Sequence, residues 1–202
     1  MRMNEKEFRS ANNIVDLEDY PSITCVFDKQ SQTWHTVPNQ KINWGKRGCL
    51  SIIIQVDSRE QKFKHVTNYF DKHGIKWVKS KCVVGDYVNL ENPMVVIDRK
   101  KDLQEVAGNV CQQHARFVRE LELAKDLGYK MIILIEEVNI RELHEVNRWY
   151  NWRRKHNPKA ITGKTLRKIM ETMSEKYGVV WLFTTPQECG KRIVELLKER
   201  KR

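Results

Sequence analysis

The chain has 202 residues, enough for one full domain with an appendage, and its 40% hydrophobic content supports a real core. No apolar run approaches membrane-spanning length, the N-terminus lacks a secretory h-region, and five scattered cysteines without a Cys-x-x-Cys pair argue against a disulfide frame or zinc site. Such cysteines read as the reduced thiols of an intracellular, cytoplasmic protein, and the net charge of +11, concentrated as nine basic and two acidic residues in 139–168, points to a polyanionic partner.

Residues 1–50 carry a net charge of only +1 and read as an N-terminal extension. Within it Ile23-Thr24-Cys25-Val26-Phe27 and Thr33-Trp34-His35-Thr36-Val37 could pair as a hairpin, and Asn43-Trp44-Gly45-Lys46-Arg47-Gly48 reads as a linker. A second unit, residues 51–202, opens with the continuous apolar run Ser51-Ile52-Ile53-Ile54-Gln55-Val56, a buried strand whose end delivers Asp57-Ser58-Arg59-Glu60. The spacing of Phe63, Val66 and Phe70 predicts a helix over 63–70 that stops at Gly74. A strand over 75–78 follows. Residues 83–100 then read as a hairpin turning at Asn92-Pro93, which would set Asp86 opposite Arg99 and Tyr87 opposite Asp98.

A long helical stretch is predicted next, broken near Gly108, with Phe117, Leu121 and Ala124 on one face and Gly128 past its end. Met131-Ile132-Ile133-Leu134-Ile135 is a second buried strand, and the intervening helix makes it a parallel partner of the strand before it. Residues 140–155 are predicted helical and carry Trp149, Tyr150, Trp152, Arg153, Arg154 and Lys155. These could stack on unpaired bases and follow phosphates, or simply pack as an amphipathic helix. A helix over 165–176 ends at Gly178, Val179-Val180-Trp181-Leu182-Phe183 is a third buried strand, and Thr185-Pro186-Gln187-Glu188 starts a last helix that runs into a basic tail. The fold class is α/β, a mixed central sheet flanked by helices.

The chemistry concentrates in residues 85–103. Asp98 and Lys100 are two apart on one strand and share a face, and Asp86 reaches the same spot from the strand before. Two carboxylates and a lysine suit a divalent cation for phosphodiester hydrolysis, because hard oxygen ligands hold Mg²⁺ and a lysine can orient water or neutralise developing charge.

Three motifs taken together, Val56-Asp57-Ser58-Arg59-Glu60, Gly85-Asp86-Tyr87 and Ile97-Asp98-Arg99-Lys100, resemble in order and spacing the XPF-type structure-selective nuclease family. The resemblance covers about residues 51–198 and implies a restriction-endonuclease-like fold, most similar to stand-alone phage or prokaryotic members. A phage-encoded chain would act in its host's cytoplasm. The implied activity is a Mg²⁺- or Mn²⁺-dependent DNA endonuclease acting on branched, flap or junction DNA in repair or recombination, with homodimerisation through the nuclease domain. By position it implies metal binding by Asp86, Asp98 and Asp57 and a catalytic Lys100. Arg59, Glu60 and Arg99 fall where the family shapes the site or contacts phosphate, and Arg153, Arg154, Lys155 and Trp152 are the DNA-binding candidates. Two departures stand out: Asp98 replaces the family's Glu, and the family's later acid could be Asp102 or Glu105.

Competing readings are a nuclease-fold module that binds branched DNA or a protein without cutting it, and a phosphate-loop NTPase. The second fails because Thr162-Gly163-Lys164-Thr165 has Pro158 where the loop needs glycine. The six histidines show no metal-ligand spacing.

Overall fold

The computed structural model describes residues 23–28, 33–38 and 52–198. Strands β1 (Ile23–Asp28) and β2 (Thr33–Pro38) form an antiparallel pair of their own. The linker at 43–48 and the tail at 199–202 lie outside the described residues.

From Ile53 onward the chain builds one six-stranded mixed sheet. Strand β3 (Ile53–Asp57) leads into α1 (Lys64–Lys72) and returns as β4 (Lys76–Ser80), parallel to β3. Strands β5 (Tyr87–Asn89) and β6 (Asn92–Lys100) form a hairpin, with β5 antiparallel to both β3 and β6. Helices α2 (Leu103–Cys111) and α3 (His114–Asp126) lead to β7 (Lys130–Glu136). Two 3₁₀ turns, Leu143–Arg148 and Trp152–Lys155, and helix α4 (Gly163–Tyr177) lead to β8 (Val180–Thr184). Helix α5 (Cys189–Lys198) closes the described chain. The order β4-β3-β5-β6-β7-β8 joins a parallel pair and a parallel trio through the antiparallel β5, the mixed sheet that the sequence predicts.

Both faces of the sheet are covered. Helices α1 and α5 pack on Ile54, Val56, Ile97, Ile132 and Leu134. Helices α2, α3 and α4 pack on the alternate residues Val96, Ile133 and Ile135. Full burial on both sides is why Val95–Ile97 in β6 and Met131–Ile135 in β7 are unbroken apolar runs.

Three expectations give way. The hairpin turns at Leu90-Glu91 rather than at Asn92-Pro93, and the ladder slips from Asn89↔Asn92 to Val88↔Val96. Pro93 has no N–H to give a ladder, so it sits in the bulged stretch rather than at the tip. The break in the helical region falls at Gln112-Gln113, with Gly108 inside α2. The helix predicted over 140–155 is replaced by the two 3₁₀ turns. Asn151 interrupts it: its side chain accepts from Arg153 N–H and donates to the Ile161 carbonyl, competing with helical bonding. The Thr162-Gly163-Lys164-Thr165 segment is a helix start, with Thr162 Oγ1 accepting from Thr165 N–H.

Candidate active site

Strand alternation divides the polar residues at the ends of β3, β6 and β7 into two clusters on opposite faces of the sheet. Asp98 and Lys100 point to the α2/α3 side, while Arg99 points to the α1/α5 side. Asp86 reaches the first cluster from the loop ahead of β5. Gly85 makes that possible with φ +67°, and a Cβ there would lie 2.6 Å from Val96 Cγ1. The Asp86 backbone is locked into the sheet edge, its N–H donating to Ile97 O at 2.8 Å and its carbonyl accepting from Asp57 N–H at 2.7 Å. One step beyond the Tyr87↔Ile97 pair, Asp86 stands opposite Asp98, not opposite Arg99 as the sequence suggests. Arg99 still contributes through its backbone, whose N–H donates to Asp86 Oδ2 at 2.8 Å.

Two acids facing each other across a ladder repel. Burial pushes the Asp86 carboxyl well above its ordinary range, and Asp98 pushes it further, with Lys100 pulling the other way. Asp98 is buried, and its Oδ2 has no hydrogen-bond partner. Lys100 Nζ lies 2.6 Å from that oxygen as an ion pair, off the angles of a hydrogen bond. Burial would strip the Lys100 proton, but Asp98 and Asp86 more than reverse that and hold the side chain as an ammonium. A third acid joins them unforeseen: Glu120 of α3, whose Oε1 accepts from Gly85 N–H at 3.2 Å. Burial and then Asp98 raise its pKa. Its only sequence signal is a position beside the apolar stripe Phe117, Leu121, Ala124, too faint to single it out.

Asp57 shares this face, but its oxygens are fully engaged. Oδ1 accepts from Arg59 N–H at 2.7 Å and Nε at 2.8 Å; Oδ2 accepts from Arg59 Nη2 and Cys82 N–H, both at 2.8 Å. In this arrangement Asp57 fixes Arg59 and the β3 end.

On the opposite face Arg99 is buried. Its Nη1 donates to Glu136 Oε1 at 3.0 Å and its Nη2 to Glu60 Oε1 at 2.5 Å and Lys62 O at 3.0 Å. Arg99 and Glu60 are thus partners in a buried clamp, turned away from Asp98. His65 Nε2 lies 2.6 Å from the same Glu136 oxygen. His65, Glu136 and Cys189 present ligand atoms within 4.8 Å of one another, but the Arg99 guanidinium already supplies the cation there. Among the described residues the acids facing Asp98 do not close into such a trio.

Asp102 and Glu105 start α2: Asp102 Oδ1 accepts from Glu105 N–H at 2.7 Å, and Glu105 Oε1 lies 3.9 Å from Lys100 Nζ. Trp152, Arg153 and Arg154 line a cleft between α2 and α4 on the same side of the sheet as Asp98. No helix among the described residues is long and apolar enough to cross a membrane.

The family described as the ERCC4 domain matches residues 56–196. Solved structures of XPF from Aeropyrum pernix, alone and in complex with DNA, are similar at a TM-score of 0.54 and 18% identity. They cover 72% and 73% of this chain, which spans 63% and 64% of theirs. No curated protein matches.

Proposed function

The chain belongs to the ERCC4 domain family, a family of DNA endonucleases, and from that premise we propose that it is a divalent-metal-dependent nuclease that cuts branched, flapped or junction DNA. The observation that carries the reading is the facing pair Asp86 and Asp98 with Lys100 between them and the helices of one face. The repulsion between the buried Asp86 and Asp98 carboxylates is what a hard cation would relieve, so the residues fit Mg²⁺ or Mn²⁺. Two carboxylates suffice, because Mg²⁺ keeps waters and takes the rest of its oxygens from substrate phosphate. When bound, the ion would supply Lewis acidity at the phosphorus and a more acidic water, leaving a 5′-phosphate.

Asp86 and Asp98 would hold the ion. Arg99 N–H keeps Asp86 Oδ2 in place, and Asp57 with Arg59 braces the neighbouring strand end. Lys100, paired with Asp98, faces the charge that develops on phosphate and would orient or deprotonate the attacking water. Glu105, 3.9 Å from Lys100 Nζ, fits the family's additional acid better than Asp102, which caps α2. The same reading places the protein inside the cell with DNA as its partner and lets two copies cut both strands of a junction.

The test is cleavage of labelled fork, flap, four-way and linear DNA in Mg²⁺ or Mn²⁺. Asp86→Asn and Lys100→Ala should each lower cleavage at least a hundredfold while leaving binding within severalfold. Full activity in either variant would overturn the assignment. Wild-type binding of branched DNA with no cutting under either metal would favour a non-cleaving module, a reading that Asp98 in place of the family's Glu keeps in play.

A further inference from the structure

The 3₁₀ turn Trp152–Lys155, the loop after it and the start of α4 enclose with α2 a cleft of about 770 Å³, within the range of ligand sites. Gln104, four residues after Lys100 in the chain, forms part of its wall. Arg153, Arg154 and Lys159 line it and no acidic side chain does. Arg154 is fixed there, its Nη1 donating to the Ala160 carbonyl at 2.6 Å. Trp152, at the rim, is 57% exposed, a large aromatic surface that the fold leaves uncovered. Gln104 adds a side-chain amide to the cleft wall.

We propose that this cleft captures an unpaired nucleotide of the DNA, its base stacked on Trp152 and its phosphates against Arg153 and Lys159. A duplex offers a convex surface with its base faces covered by neighbours, so an aromatic ring in a concave cleft gains little from it. A splayed nucleotide exposes a π-face for the indole. The inference rests on the DNA-nuclease reading and names the place on this chain that would hold an unpaired nucleotide of such a substrate.

Binding of full-length protein in EDTA tests it, using a short single strand containing 2-aminopurine and a blunt duplex of the same sequence. Wild type should quench the 2-aminopurine on binding. Trp152→Ala should weaken single-strand affinity about five- to a hundredfold and leave duplex affinity within about twofold, while Trp152→Phe keeps most of both. Lys159→Ala should flatten the single-strand salt dependence by about one ion. Unchanged single-strand affinity in Trp152→Ala, or an equal loss for single strand and duplex, would overturn the proposal. Because no metal is present, the result stands apart from cleavage: cutting without a Trp152 effect sinks only this inference.

Discussion

Four donor contacts converge on the Asp57 carboxylate, and they decide its titration. Burial alone would raise its pKa, but hydrogen bonds from the Arg59 side chain, Arg59 N–H and Cys82 N–H outweigh burial and hold it below the ordinary value of 3.8. A carboxylate depressed in the folded state stabilises the fold above its unfolded pKa and loses that contribution as pH falls through the folded one. Asp57→Asn removes the charge and turns an amide N–H toward a donor. Because the Arg59 side chain is 64% exposed and screened by water, the cost at neutral pH should be modest, roughly 1–2 kcal/mol. Urea unfolding should show a constant gap between wild type and variant from about pH 5 to 8, closing below about pH 4. A gap that persists unchanged into acid would argue against the pairing.

At the scale of elements, the β5–β6 hairpin carries the candidate site, and Gly85 sets its approach. Its positive φ and the 2.6 Å and 3.0 Å distances from a built Cβ to Val96 Cγ1 and Ile97 O leave no room for a side chain. Gly85→Ala should cost about 2–4 kcal/mol from left-handed strain plus overpacking. It should also depress cleavage by displacing Asp86, although no charged group changes; chemical denaturation and the substrate panel read the two effects. An alanine protein as stable as wild type would mean that the hairpin yields easily. Much of this element is legible in the sequence, because Asp98, Arg99 and Lys100 must alternate across a sheet wherever the strand lies. The register was not legible: Asn92-Pro93 carries the chemistry of a turn, yet the missing proline N–H serves a bulge equally well. Nor was the third acid, since Glu120 meets Gly85 from 35 residues away through the packing of a helix that no local pattern fixes. The 3₁₀ turns escaped for a related reason, their course being set by Asn151 bonding across to Ile161.

Across the whole molecule, the two faces of the sheet do different work. The α1/α5 side holds Arg99 between Glu60 and Glu136, a closed clamp whose charges are spent on each other. The α2/α3/α4 side carries the facing acids and, through Val146, Leu166 and Met170, the segment with the chain's densest positive charge. A polyanion should therefore dock on the second side, where the basic segment and the acids that would hold metal share one face of the sheet. Exposed lysines occur on both sides, which makes the claim separable from mere net charge: Lys155 and Lys164 on one, Lys64 and Lys72 on the other. Changing either pair to alanine lowers the net charge by the same two units. Only Lys155→Ala with Lys164→Ala should weaken duplex binding, making the slope of log affinity against log salt shallower by up to about two ions. Lys64→Ala with Lys72→Ala should leave the slope as in wild type. Equal slopes from the two double variants would show that binding follows overall charge, and the assignment of a DNA-facing side would fall with it.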